Sequence, residues 1–267
     1  MNLFIKKLIN FFIIRFFPRF TFNKVKIANK DYFIEKKKEL LTKSYKEIET
    51  YITNNKLQKV ENEWLHNLAY LTQIVVKKSD INIQHGKLLY SLVSNLDKKI
   101  ENLTILETGT ARGFSSICMS KALNNNNRKG TIYTIDFLPN NKKMYWNCVS
   151  DLDGKKTRVE LLKDYTNEIE NIKFIEGFSK NVLKKINLDH INFAFLDGSH
   201  KYKDVKIEFS YVSQRQIVGD QIFFDDFTPG TFDGIVKLIH EIEKENKYEL
   251  DKIFSSDKRG YVLATKK

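Results

Sequence analysis

The stretch ILETGTARGFSS, Ile105 to Ser116, decides how the rest of the chain is read. An apolar run from Leu103 to Leu106 ends in an acid, Glu107. Glycines follow at 109 and 113, then Phe114, Ser115 and an apolar stretch through Leu123. That order predicts a buried strand, a tight turn and a helix N-terminus. Gly109, flanked by Thr108 and Thr110, permits a positive φ or a close approach of ligand to backbone, and Gly113 permits tight packing of the helix start. The unsatisfied N–H groups of such a helix start suit a polar ligand. The spacing is E-x-G-x-x-x-G, which differs from the G-x-G-x-x-G of a dinucleotide turn.

Downstream, apolar strands alternate with helices. Thr131–Ile135 ends at Asp136, Ile172–Ile175 ends near Gly177, Ile191–Leu196 ends at Asp197, and Gln221–Phe224 ends at Asp225 and Asp226. Ile235–Glu245 reads as a helix. Two closing strands, Tyr248–Phe254 and Tyr261–Thr265, flank a turn at 255–260. Apolar strands separated by helices imply a parallel sheet covered on both faces. Upstream, residues 33–58 carry Leu40, Leu41, Ile48 and Ile52 roughly on one helical face. Glu61–Val76 and Gln84–Leu96 read as further amphipathic helices. Asn124–Asn127 reads as a short loop, and no internal repeat is present.

The 267 residues suit one sizeable α/β domain with an extension, and 42% hydrophobic residues suffice for a real core. The two cysteines, Cys118 and Cys148, form no disulfide framework and fit a reducing cytoplasm. Cys118 reads as a small buried hydrophobe. The net charge of +12 is concentrated in residues 1–60, which hold 14 Lys and Arg against 5 Asp and Glu. This bias points to an acidic surface such as anionic lipid, or to a solvated basic face. The opening MNLFIKKLINFFIIRFFPRF is interrupted by Lys6, Lys7 and Arg15 and stopped by Pro18, too broken for a spanning helix. It reads either as an interfacial helix, giving peripheral contact with the inner face of the membrane, or as a helix docked on the domain or on a second subunit.

Acids end four of the strands: Glu107, Asp136, Asp197 and the pair Asp225 and Asp226. Ligands of open α/β sheets bind at the carboxyl ends of the strands, and a carboxylate ending the second strand can accept ribose hydroxyls. Phe137 and Leu138, after Asp136, can pack on an adenine face.

The turn resembles motif I of the class I S-adenosylmethionine-dependent methyltransferases. From Gln84 to Thr265 the chain is similar to the methyltransferase-24 group, relatives of the macrocin-type and catechol-type O-methyltransferases. The segments carrying the likeness are ETGTARGFSS, TIYTID, FIEGFS, FAFLDGSHKYKDV and FFDDF, with D-G-x-H-x-Y-x-x-V the most discriminating. The resemblance implies an α/β fold: a Rossmann-like, seven-stranded, mostly parallel sheet with a C-terminal antiparallel hairpin strand, helices on both faces and a helical N-terminal extension. Residues 1–60 form the basic extension and 61–267 the methyltransferase domain, its sheet starting near residue 103. Helices before the first strand are expected to cap the cofactor cleft.

The implied function is S-adenosylmethionine-dependent O-methylation of a small hydroxylated acceptor. Cofactor contacts are expected from Glu107, Thr108, Gly109, Gly113, Ser115, Asp136, Phe137, Gly177, Phe178, Ser179 and Asp197. Glu107 would face the cationic methionine end, and Gly177, Phe178 and Ser179 the adenine edge. The same topology makes the strand ends at Asp197 and at Asp225 and Asp226 neighbours. Three carboxylates in a small volume are costly unless protonated, paired with Lys201, Lys203 or Arg259, or bound to a cation, for which Mg²⁺ is the expected ion. Where macrocin-type enzymes read D-G-D, the second Asp being their proposed base, this chain has Ser199, a poor base. His200 is the substitute, its unperturbed pKa near ~6.5 suiting proton removal, or it makes a structural hydrogen bond. The catalytic residues expected are His200 and Asp197.

The rivals are a non-catalytic or differently specialised S-adenosylmethionine-binding protein, a nucleic-acid methyltransferase and an NAD-dependent oxidoreductase. The chain has DGSH where amino-directed nucleic-acid enzymes carry N/D-P-P-Y/F, and its catalytic region is nearly neutral. The glycine spacing and closing hairpin argue against the oxidoreductase. The expected partners are thus a small-molecule acceptor and no nucleic acid, in a cytoplasmic setting, with a homo-oligomer left open.

Overall fold

Successive side chains of a strand point to opposite faces, and here both faces are apolar. On one face, Ile105, Ile132, Phe193, Phe195 and Phe223 share a core with residues of the helices before the first strand. On the other, Leu106, Ile135, Ala194, Leu196, Ile222 and Phe224 pack with the helices that follow the fourth and fifth strands. Continuous apolar runs in the sequence therefore feed two cores, as a doubly covered sheet requires.

The structure is a computed structural model describing residues 30–76, 80–255 and 259–267. The basic segment expected at 1–20, and residues 256–258 of the closing turn, lie outside the described residues. The strands are β1 (Asn102–Thr108), β2 (Lys129–Asp136), β3 (Ile172–Glu176), β4 (Phe193–Leu196), β5 (Gln221–Phe224), β6 (Tyr248–Phe254) and β7 (Gly260–Lys266). They form one seven-stranded sheet in the order β3-β2-β1-β4-β5-β7-β6. β1 to β5 are parallel; β7 runs antiparallel to both β5 and β6, the hairpin foreseen from the sequence.

Helices α1 (Lys30–Thr42), α2 (Lys46–Asn54), α3 (Asn62–Thr72) and α4 (Gln84–Ser94) precede the sheet. The segment expected as one helix at 33–58 is two, separated by residues 43–45. Phe33, Leu40, Ile48 and Ile52 lie in the same core as Leu65 and Ile105. Helix α5 (Phe114–Asn125) follows β1 and takes in the first half of the asparagine run expected as a loop. α6 (Tyr202–Ser213) follows β4, and α7 (Asp233–Glu245) follows β5. No helix among the described residues is long and apolar enough to cross a membrane.

The turn between β1 and α5 is built on left-handed backbone at Gly109 (φ 94°), Ala111 (φ 44°) and Gly113 (φ 90°). Gly109 is demanded by the protein itself. A Cβ there would stand 2.4 Å from the carbonyl oxygen of Asp197 and 3.1 Å from the amide nitrogen of Gly198. The glycine lets the ends of β1 and β4 close on each other. By contrast, Gly154 (φ 103°) has nothing within 4 Å of a Cβ. Gly109→Ala should therefore cost roughly 2–4 kcal/mol, with strain and collision acting together, and Gly154→Ala roughly 1 kcal/mol from φ alone. Urea unfolding of the two variants measures both; equal losses would show that crowding at Gly109 is unimportant.

Candidate active site at the carboxyl ends of the strands

Strand register sets the site. Thr108 of β1 pairs with Ile135 on one side and Leu196 on the other, and Leu196 pairs with Phe224. The next residues, Gly109, Asp136, Asp197 and Asp225, thus leave the sheet at one level. Above them lies a cavity of about 460 Å³ lined by Gly109, Asp136, Phe137, Gly177, Phe178, Ser179 and Asp197, all expected contacts, together with Ala111, Ile135, Lys180, Gly198, Ser199, Lys201 and Asp204.

Asp136 is nearly buried, and its two oxygens order the backbone around it. Oδ2 accepts the Ala111 amide at 2.7 Å, and Oδ1 accepts the Leu138 amide at 2.8 Å. Beside it, Phe137 and Phe178 remain 59% and 60% exposed, their rings stacked at 5.7 Å and 10°. Two large exposed rings over a cavity mark a place for a flat apolar ligand.

Four expected contacts do not line the cavity. Glu107 is fully buried beneath the turn and accepts hydrogen bonds from Ser115 Oγ, Ser116 Oγ and Thr134 Oγ1. Burial pushes its carboxyl up, against the opposing pull of the three hydroxyls. Ser115 is thereby spent on Glu107, and Gly113 caps α5 against the side chain of Leu162. Thr108 points beneath the sheet end, where Oγ1 donates to Glu208 Oε2 at 3.0 Å.

Next to Asp197 but outside the cavity lining, His200 Nε2 lies 2.8 Å from Asp226 Oδ2 and 3.9 Å from Asp197 Oδ1. The His200 ring also rests on Phe232, with centroids 4.3 Å apart. Arg259 Nη1 approaches Asp226 Oδ1 at 3.9 Å. The metal set expected was Asp197, Asp225 and Asp226. Among the described residues, the donor atoms that converge, all within 4.8 Å of one another, belong to Asp197, His200 and Asp226. Asp226 takes left-handed backbone (φ 59°), and Asp225 turns back to accept the Asp226 amide at 2.7 Å. Burial, then the Asp226 charge, pushes Asp225 up to about 7. Burial and then the charges of Asp225 and Asp226 push Asp197 well above the usual carboxylate range. Ser199 closes the loop locally: it donates to Asp204 Oδ2 at 3.2 Å and accepts the Lys201 amide at 3.3 Å.

Two supporting residues escaped the sequence reading. Arg158, in the unassigned stretch between β2 and β3, is buried between the rings of Trp146 and Phe174. It donates to Ala111 O at 3.2 Å, to Leu138 O at 3.4 Å and to Asn140 Oδ1, tying the glycine turn to the loop after β2. Glu208 lies on the buried stripe of α6 among Val205, Tyr211 and Val212. An acid on an apolar helical stripe was the available signal.

With this geometry, similarity to known proteins becomes specific. Residues 106–227 match the family model of the methyltransferase-24 group, described as a methyltransferase domain. Over these residues the chain is a methyltransferase domain similar to this family. The domain shares its fold with the O-methyltransferase TomG of Streptomyces achromogenes, solved with S-adenosylmethionine, at 17% identity and TM-score 0.55, covering 80% of this chain and 94% of that one. An O-methyltransferase from Bacillus cereus, solved with S-adenosylhomocysteine, aligns at 16% identity and TM-score 0.53, over 82% and 96% of the two chains. The S-adenosylhomocysteine-bound Podospora anserina methyltransferase PaMTH1 aligns at 15% identity and TM-score 0.56, over 82% and 94%. At such identities the likeness is one of fold. No curated protein matches the chain by sequence.

Burial raises the Glu208 carboxyl from 4.5 to about 7, against the hydroxyls of Ser179 and Thr108. A raised acid pKa means that the folded state holds the proton more tightly than the unfolded chain. The stability this contributes is complete below about pH 4.5 and is lost as pH rises through about 7. Glu208→Gln, neutral throughout, should match the wild type near pH 4 and exceed it by up to about 3 kcal/mol near pH 8.5. Denaturant unfolding at the two pH values checks this; a pH-independent difference would place the titration elsewhere.

Proposed function

We propose that this methyltransferase domain binds S-adenosylmethionine in the cavity and methylates a hydroxyl oxygen of a small acceptor beside His200 and Asp226. The observation that carries the reading is the set of groups on the cavity wall: exposed stacked rings, a ribose-competent carboxylate, and Asp197, beside which a histidine is held by Asp226. A volume of about 460 Å³ falls in the usual range for small-molecule sites. TomG and the Bacillus cereus protein are O-methyltransferases solved with S-adenosylmethionine or its product, which supports the same assignment here.

S-adenosylmethionine, when bound, supplies a methyl group on positively charged sulfur. The chain's part is to bind, orient and manage a proton. Each Asp136 oxygen keeps acceptor capacity beyond its one amide bond, enough for the two ribose hydroxyls. Phe137 and Phe178 present flat apolar surface for the base. Asp197 lines the cavity and faces His200, so it stands between cofactor and acceptor. Asp226 orients the imidazole, and His200 takes the acceptor's proton.

A second reading rests on the convergence of Asp197, His200 and Asp226. These residues fit a divalent ion, which would supply Lewis-acid chemistry at the acceptor oxygen. Two carboxylates and an imidazole suit a transition ion better than the Mg²⁺ expected from an all-carboxylate set. The readings divide at His200 Nε2, which serves either as ligand or as the nitrogen steered by Asp226.

Calorimetry with S-adenosylhomocysteine and with NAD⁺ tests the cofactor. The first should bind and the second should not, and Asp136→Ala should weaken binding at least about tenfold. Binding of NAD⁺ alone would overturn the assignment. Labelled-methyl transfer to a panel of catechols and phenols tests the chemistry. His200→Ala and Asp226→Asn should each slow transfer about a hundredfold. Activity abolished by chelation and restored by Mn²⁺ selects the metal reading. Full activity in chelator selects His200 as base. Cofactor binding with no transfer to any hydroxylated acceptor would favour a non-catalytic or differently specialised protein.

A further inference from the structure

Glu208 is fully buried and lies outside the cavity lining. An apolar residue would complete the α6 stripe of Val205, Tyr211 and Val212 more cheaply than a carboxyl, since burying an acid carries a desolvation cost. Its oxygens reach in different directions. Oε1 accepts Ser179 Oγ at 2.5 Å, just beyond β3, and Oε2 accepts Thr108 Oγ1 at 3.0 Å, at the last residue of β1. A Cβ on Gly198 would stand 3.0 Å from Oε1, so the carboxyl also sits against the loop after β4. Three segments that wall the cavity, represented in its lining by Gly109, Ser179 and Gly198, meet on one side chain of a helix behind it.

We propose that Glu208 is a positioning residue for the cofactor: it holds Ser179 and the Gly198 loop against the end of β1, so that this wall of the cavity is formed before the cofactor arrives. The proposal rests on the reading that S-adenosylmethionine occupies the cavity. A preformed wall raises affinity by removing the ordering cost from the binding step. A residue that served packing alone would affect folding and leave affinity untouched, and the two roles separate on substitution.

The experiment is calorimetry with S-adenosylhomocysteine, paired with thermal unfolding of the same samples. Glu208→Met, close in volume and apolar, should fold at least as stably as the wild type yet bind about tenfold more weakly. Glu208→Gln keeps one acceptor and gains a donor, and should recover most of that loss. Thr108→Val removes one of the two hydroxyls and should weaken binding about threefold alone, but not at all when added to Glu208→Met. A folded Glu208→Met variant with wild-type affinity would overturn the proposal, as would full additivity of the two substitutions. Should Glu208→Met fail to fold, Thr108→Val decides: unchanged affinity refutes the tie and weakened affinity supports it. A wild-type chain that binds no S-adenosylhomocysteine would overturn the cofactor reading and this proposal with it.

Discussion

The parallel register of β1 with β2 and β4, and of β4 with β5, is the constraint on which the site depends. Because Thr108 pairs with both Ile135 and Leu196, and Leu196 with Phe224, the strands end at one level. A shift of one residue in any pair would turn that strand's end group to the opposite face. The register itself is held by the alternation that fills both cores: Phe193 and Phe195 to one side, Ala194 and Leu196 to the other. Burial of ordinary apolar side chains thus fixes the positions of Gly109, Asp136, Asp197 and Asp225.

Beneath that level lies a second layer made of polar groups without access to solvent. Glu107 gathers three hydroxyls, Arg158 gathers three oxygens between two aromatic rings, and Glu208 gathers two hydroxyls from separate strand ends. Buried charge is costly without such partners, and each partner must sit at a definite distance and angle. The three groups therefore restrict loops that apolar packing alone would leave with several arrangements. Arg158 secures the glycine turn and the loop after β2; Glu208 secures the end of β1 and the residues after β3 and β4.

This layering explains why some expected contacts of the motif fall short of the cavity. Glu107 and Gly109 are both in the glycine turn motif, yet the carboxyl of the first is enclosed while the backbone of the second is part of the wall. The acid organises the turn, and the turn makes the surface. A similar division occurs after β5. The left-handed backbone at Asp226 sends its carboxyl toward His200, whereas Asp225 bonds to the amide that the same turn exposes. Ser199, which stands where the resembling macrocin-type enzymes carry a second acid, closes the loop that leads into α6, and His200 is the proton-accepting candidate.

The sequence by itself determined the sheet and most of the cavity. Apolar runs of strand length, a glycine turn and a closing hairpin are local patterns, and local patterns place strands, helices and their ends. They placed the strands, and the resemblance to class I methyltransferases that they carry pointed to the seven-stranded sheet and to Asp136, Phe137, Gly177, Phe178, Ser179 and Asp197, all of which line the cavity. Tertiary structure alone decided where neighbouring polar side chains point, and which of them meet. His200 rather than Asp225 joins Asp197 and Asp226, at a point where Asp226 takes left-handed backbone. Glu208 meets Thr108 across 100 positions of chain, and Arg158 meets Ala111 across 47. Such contacts have no period or spacing in sequence, because they arise only when the cores have packed and brought remote segments within the few ångströms over which a hydrogen bond acts.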